Sequence, residues 1–163
     1  MITLAKFSIE EVLPFTGRGK PSKVYYVNGI PYVIKMSSLR YQTFQKSIKC
    51  VQCGLSGDFF LLQYSPFNEK KSKEKVVCHI SDCEMCAMRL ESLEHRQPEG
   101  WEKPHFNLYH MGKKGGLILM TKDHIIPKSR NGRDHIDNLQ TMCITCNLRK
   151  SNTMPGDEIK VGD

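Results

Sequence analysis

Hydrophobic and polar positions fall into short runs along this chain of 163 residues. Val24-Tyr25-Tyr26-Val27 and residues 30–34 flank Asn28-Gly29. Two β-rich runs around that dipeptide predict a hairpin with a type I′ turn. Pro31 places its second strand at an edge. Tyr25, Tyr26 and Tyr32 read as packing residues of a small sheet, although their rings also suit stacking on bases. Ahead of the hairpin, residues 1–22 show no clear element except a loop at 14–22, punctuated by Pro14, Gly17, Gly19 and Pro21. Ser37 and Ser38 predict the cap of a helix over 39–49, with Leu39, Phe44 and Ile48 on its packing side. Phe59-Phe60-Leu61-Leu62 reads as a buried strand, and the charged run at 68–75 as a solvated loop. Cys86, Leu90 and Leu93 fall at i, i+4 and i+7, a short amphipathic helix ended by Pro98-Glu99-Gly100. His105 to Tyr109 reads as a strand, 112–116 as a turn, and Leu117-Ile118-Leu119-Met120 as a strand running into Asp123-His124. A basic loop follows at 125–133, and Asp137 is the expected N-cap of a helix entered through Asn138-Leu139-Gln140.

Charge narrows the picture. The formal net charge is +7, and its distribution is uneven. Residues 1–50 hold eight Lys/Arg and two Asp/Glu, residues 105–150 hold eight and three, and residues 65–104 hold seven and eight. Two basic blocks thus flank a near-neutral middle, which permits a polyanionic partner. Arg18, Lys20 and Lys23 make the first loop either an arm that touches nucleic acid or a solvated loop. No apolar run approaches a membrane span, and Glu10 and Glu11 interrupt any signal-like stretch at the start. An intracellular, cytoplasmic protein without a membrane partner is expected.

Seven cysteines, an odd number, fit metal sites better than disulfides. Cys50-x-x-Cys53 and Cys143-x-x-Cys146 have the spacing of zinc knuckles, so together they predict a closed tetrathiolate Zn²⁺ site that is structural rather than catalytic. Cys78, Cys83 and Cys86 lie close together with His95 as the preferred fourth ligand, a candidate second zinc site. The rival reading of those three is unligated thiols on a solvated insert.

A carboxylate, an imidazole, an amide and two thiols are concentrated in 117–151. Asp123-His124-Ile125-Ile126-Pro127, then Asn138-Leu139, then Cys143-x-x-Cys146-Asn147-x-x-Lys150 resembles the HNH endonuclease motif in its zinc-bearing, Asn-terminated and phage-like form. The resemblance implies a small ββα-metal nuclease core stapled by the tetrathiolate zinc site; with the N-terminal β-hairpin and the Cys-rich insert read from the rest of the chain, an α+β protein is expected. The resemblance covers 117–151 closely and extends loosely back to Cys50-x-x-Cys53, and the expected nuclease core is 46–64 and 105–151; outside it, the chain's own patterning gives a hairpin and basic arm over 1–45, an insert over 65–104 and a tail over 152–163. The resemblance further implies that His124 is the general base, that Asp123 and Asn147 hold Mg²⁺ or Mn²⁺, and that Asn138 fixes the loop and orients the histidine. Lys128, Arg130, Arg133, Arg149 and Lys150 are expected on DNA phosphates. The expected function is metal-dependent DNA cleavage, as a nick or a double-strand break. The alternatives are a zinc-stapled nucleic-acid-binding module with little or no nuclease activity, and a scaffold that only holds partners.

Overall fold

A computed structural model of the chain describes residues 1–64 and 104–156. The amphipathic helix and charged loop expected in the insert, the candidate zinc ligands Cys78, Cys83, Cys86 and His95, and the end of the tail lie outside the described residues. The described elements are β1 (Ile2–Ser8), α1 (Ile9–Val12), β2 (Lys23–Val27), β3 (Ile30–Ile34), α2 (Leu39–Lys46), β4 (Phe59–Tyr64), β5 (His105–Met111), β6 (Leu117–His124), β7 (Leu139–Cys143) and α3 (Ile144–Lys150). Five of the strands make one antiparallel sheet in the order β1-β4-β5-β6-β7, and β2 and β3 pair separately. This is a mixed α+β fold.

The sheet is organised around β4, whose apolar run buries both faces. Successive strand residues alternate sides, so Phe60 and Leu62 join Phe106, Leu108, Met120 and Met142 in the main core, while Phe59 and Leu61 pack with Tyr109 on the other face. Tyr41 and Phe44 of α2 cover the main core, and the Tyr41 hydroxyl accepts the Phe106 N–H at 2.9 Å. Tyr25 docks the hairpin onto this core, meeting the rings of Phe7 and Phe106 edge-on at 5.3 and 4.8 Å. Tyr26, on the opposite side of its strand, is exposed. The N-terminal hairpin therefore shares its core with the five-stranded sheet.

Three elements depart from the sequence expectation. The first is β1, which pairs with β4 from Ile2↔Tyr64 to Ser8↔Phe59, after which Ser8 and Glu11 close a capping box over α1. The second is α2, which stops at Lys46 rather than near 49: Ser47 turns extended, and Lys49 pairs with Ser56 to frame the first cysteine knuckle. The third is 139–143, expected to be helical. Ile136–Asn138 make only one tight turn, and His135 rather than Asp137 caps it. The chain then runs extended and pairs with β6 from His124↔Leu139 to Met120↔Cys143. Helix α3 begins one residue later, with the Cys143 side chain at its N-cap.

Candidate metal and catalytic centres

The two knuckles meet. Gly54 takes φ +74°, a left-handed turn that suits glycine, and this folds Cys50-x-x-Cys53 back on itself through Gly54 N–H to Cys50 O at 2.9 Å. The knuckle is pinned to β7 by Val51 N–H to Thr141 O at 3.0 Å and by the Thr141 hydroxyl donating to Ser47 O at 2.6 Å. Cys143 ends β7 and Cys146 lies one turn into α3. The four ligand atoms of Cys50, Cys53, Cys143 and Cys146 all lie within 4.8 Å of one another. Sulfurs about 2.3 Å from a shared tetrahedral ion stand about 3.8 Å apart, and the Cys53 and Cys143 sulfurs are separated by 3.8 Å. Burial pushes the Cys143 and Cys146 thiols up, and neighbouring thiols push Cys146 further. At Cys50, burial is outweighed by backbone hydrogen bonds from Cys143, Cys53 and Gln52, which bring it down to about 7. At Cys143 and Cys146 the neighbouring thiols thus oppose ionisation, and a central divalent cation would offset that opposition. The cluster can hold a metal such as zinc.

The second centre lies at the far end of the β6–β7 hairpin. Asp123 and His124 close β6 and send their side chains to different partners. Asp123 is buried; its Oδ2 accepts from Gln140 Nε2 at 2.8 Å and from Lys150 Nζ at 3.1 Å. Lys150, expected on a DNA phosphate, is itself buried, and its ammonium also donates to His124 O at 2.7 Å. It faces the interior of the centre rather than solvent. Asn147 of α3 donates through Nδ2 to the Thr121 hydroxyl at 2.9 Å. That orientation leaves the amide Oδ1, like Asp123 Oδ1, with no partner among the described residues. Both are hard oxygen donors, the type that Mg²⁺ or Mn²⁺ takes.

The basic loop between β6 and β7 is held by Asn138. Its Oδ1 accepts Ile126 N–H at 2.8 Å, and its Nδ2 donates to Ile126 O and Arg133 O, both at 3.0 Å. Gly132 lets the loop close, because a Cβ there would fall 1.8 Å from Ile126 O. Lys46 of α2 ties the loop's exit to the core through Ile136 O and Leu139 O at 3.1 and 3.0 Å. Asn138 reaches His124 only through the loop it fixes. The direct partner of the imidazole is Asp134, with Oδ1 3.1 Å from His124 Nε2. Lys122 and Lys128 also meet Asp134, at 3.1 and 3.4 Å. Lys122 beside it, helped by His124, holds the Asp134 carboxyl down at about 2. Lys128, Arg130, Arg133 and Arg149 are exposed, while His135 faces solvent beside Asp137 and His110 is satisfied by Ser56 O and Asp58.

Strands β6 and β7 followed by α3 are therefore a ββα unit carrying a carboxylate, an imidazole and two amides around one hairpin. Residues 112–153 match the HNH endonuclease family. No curated protein and no solved structure matches the chain. The HNH segment opens in the turn before β6 and closes just past α3. Cys143 and Cys146 lie inside it, and Cys50 and Cys53 outside it, so the thiol cluster joins the HNH segment to the remainder of the sheet. The match supports a nuclease-type function for this part of the chain. Among the described residues no helix is long and apolar enough to cross a membrane.

Sequence reasoning did not find Asp134 and Gln140. No motif marks them: Gln140 is placed by the hairpin register as the direct cross-strand partner of Asp123, and Asp134 by the loop that Asn138 holds.

Proposed function

We propose that the chain is a metal-dependent endonuclease that hydrolyses DNA phosphodiester bonds, with the HNH segment carrying the reaction. The observation that supports this best is the arrangement at the end of β6. His124 sits partly accessible at the strand end, beside the buried Asp123 carboxylate, and the Asn147 amide, tied to Thr121 of the same strand, keeps a carbonyl without a partner among the described residues. In this reading Asp123 and Asn147 hold Mg²⁺ or Mn²⁺. When bound there, such an ion would supply charge neutralisation on the phosphoryl oxygens and help for the leaving oxygen. His124 takes the proton of the attacking water, as an imidazole does near neutral pH. Asn138 keeps the loop in shape, and exposed Lys128, Arg130, Arg133 and Arg149 contact the DNA backbone. Lys150 balances Asp123 from inside. The four cysteines bind a structural Zn²⁺ with no open coordination position, which contributes folding energy rather than chemistry.

The test is supercoiled plasmid incubated with purified protein and Mg²⁺ or Mn²⁺, against the same mixture in EDTA. Nicked or linear product that needs the divalent ion supports the reading. DNA that is bound but left intact under every divalent ion would instead identify a nucleic-acid-binding module.

A further inference from the structure

We propose that Asp134 is a positioning residue for His124: its carboxylate fixes the imidazole as the Nε2–H tautomer and leaves Nδ1 as the nitrogen that takes the proton of water. This inference rests on the nuclease reading of the site. It begins with hydrogen-bond inventory. An ionised carboxylate can only accept. The 3.1 Å contact between Asp134 Oδ1 and His124 Nε2 therefore places the proton on Nε2. In the neutral ring, the lone pair then falls to Nδ1.

The surroundings keep Asp134 in that role. Lys122 and Lys128 flank it, and the charge of these ammonium groups keeps the carboxyl ionised across the neutral range. Its place in the loop is set from behind. Asn138 Nδ2 donates to the carbonyl of Arg133, the neighbouring residue, and Arg130 N–H to Pro127 O at 2.8 Å closes the turn that precedes it. A chain of contacts thus runs from Asn138 to the loop backbone, to Asp134 and to His124. It explains how Asn138 governs the histidine without touching it. It also gives the imidazole a negative partner on the side away from its proton-accepting nitrogen, where charge develops as the proton arrives.

The experiment is long-range ¹H–¹⁵N correlation NMR on the full chain labelled with ¹⁵N-histidine, recorded in mildly alkaline buffer and paired with steady-state plasmid cleavage. The wild type is expected to show His124 as the Nε2–H tautomer. Asp134→Asn keeps the size of the side chain but offers an amide donor as well as an acceptor. It should shift His124 toward Nδ1–H and lower kcat by about tenfold or more, a fraction of what a general base supplies, with KM for DNA little changed. Asp134→Glu should recover part of the tautomer and of kcat together. Asp137→Asn, in the same loop but paired among the described residues with exposed His135, serves as the control and should move neither. His124 found as Nδ1–H in the wild type, or a tautomer unaltered by Asp134→Asn, would overturn the assignment. The two failures separate: a wild type that does not cut removes the nuclease reading, whereas an unaltered tautomer in a protein that cuts removes Asp134 alone.

Discussion

Replacing Cys53 with serine isolates the thiol cluster from the packing around it. Cys53 is the one exposed member of the four, so Cys53→Ser opens no cavity and buries no new polar group. What it removes is a ligand. Cys53 and Cys143 are 90 residues apart in the chain, and their sulfurs are 3.8 Å apart in the fold. A cross-link that closes a loop of that size removes about 4–5 kcal/mol of conformational freedom from the unfolded chain. With three thiolates left, most of that constraint is lost, and a destabilisation of about 3–4 kcal/mol is expected. For a chain of this length that is a fall in Tm on the order of 10 °C. Thermal unfolding followed by circular dichroism, with zinc counted by mass spectrometry on the same samples, measures both quantities. The variant should carry one zinc fewer per chain than the wild type, and chelator-stripped wild type should melt near the same temperature as the variant. A Cys53→Ser protein that keeps the wild-type Tm and the wild-type zinc content would refute the cross-link.

Two further substitutions probe the other centre. Asn138→Ala removes three hydrogen bonds to the loop; it should cost about 1–3 kcal/mol in urea unfolding and make the 125–133 loop easier to nick with protease, and unaltered cleavage of both loop and DNA would show that the amide is dispensable. Lys150→Met keeps the stem of the side chain but leaves Asp123 without its ammonium partner 3.1 Å away. Breaking so buried a pair should destabilise by about 3 kcal/mol, and adding Asp123→Asn should restore part of it; an unchanged urea midpoint in Lys150→Met would mean that the pair contributes nothing.

Much of the fold follows from local chemistry. Asn28-Gly29 set the β2–β3 turn, Ser38 started α2, and the apolar run at 59–62 marked the central strand. The cysteine spacing named the four thiols that meet, because ligand geometry constrains sequence spacing directly. The misreadings have a common cause. At 137–143, Asp137 and Asn138 present a helix-start signal, but five residues that can pair with β6 gain a full ladder of backbone hydrogen bonds, and the strand prevails. Strand β1 was not legible because its partner, β4, is remote in sequence and its own alternation is weak. The Ser8-x-x-Glu11 spacing of its capping box is the one local signal at its end. At the centre, Asp123, His124, Asn138 and Asn147 stood out by motif. Their supporting contacts did not: Lys150 folds inward, Gln140 reaches across the hairpin, and Asp134 meets the imidazole only once Asn138 and Gly132 have closed the loop.

The central claim is that His124 is the base of a phosphodiester hydrolysis, and its most direct measurement is the rate at which His124→Ala nicks supercoiled plasmid in Mg²⁺, beside wild type, with DNA affinity of both measured in EDTA. The account predicts a rate at least about a hundredfold lower with unchanged affinity. Wild-type nicking by His124→Ala would contradict it.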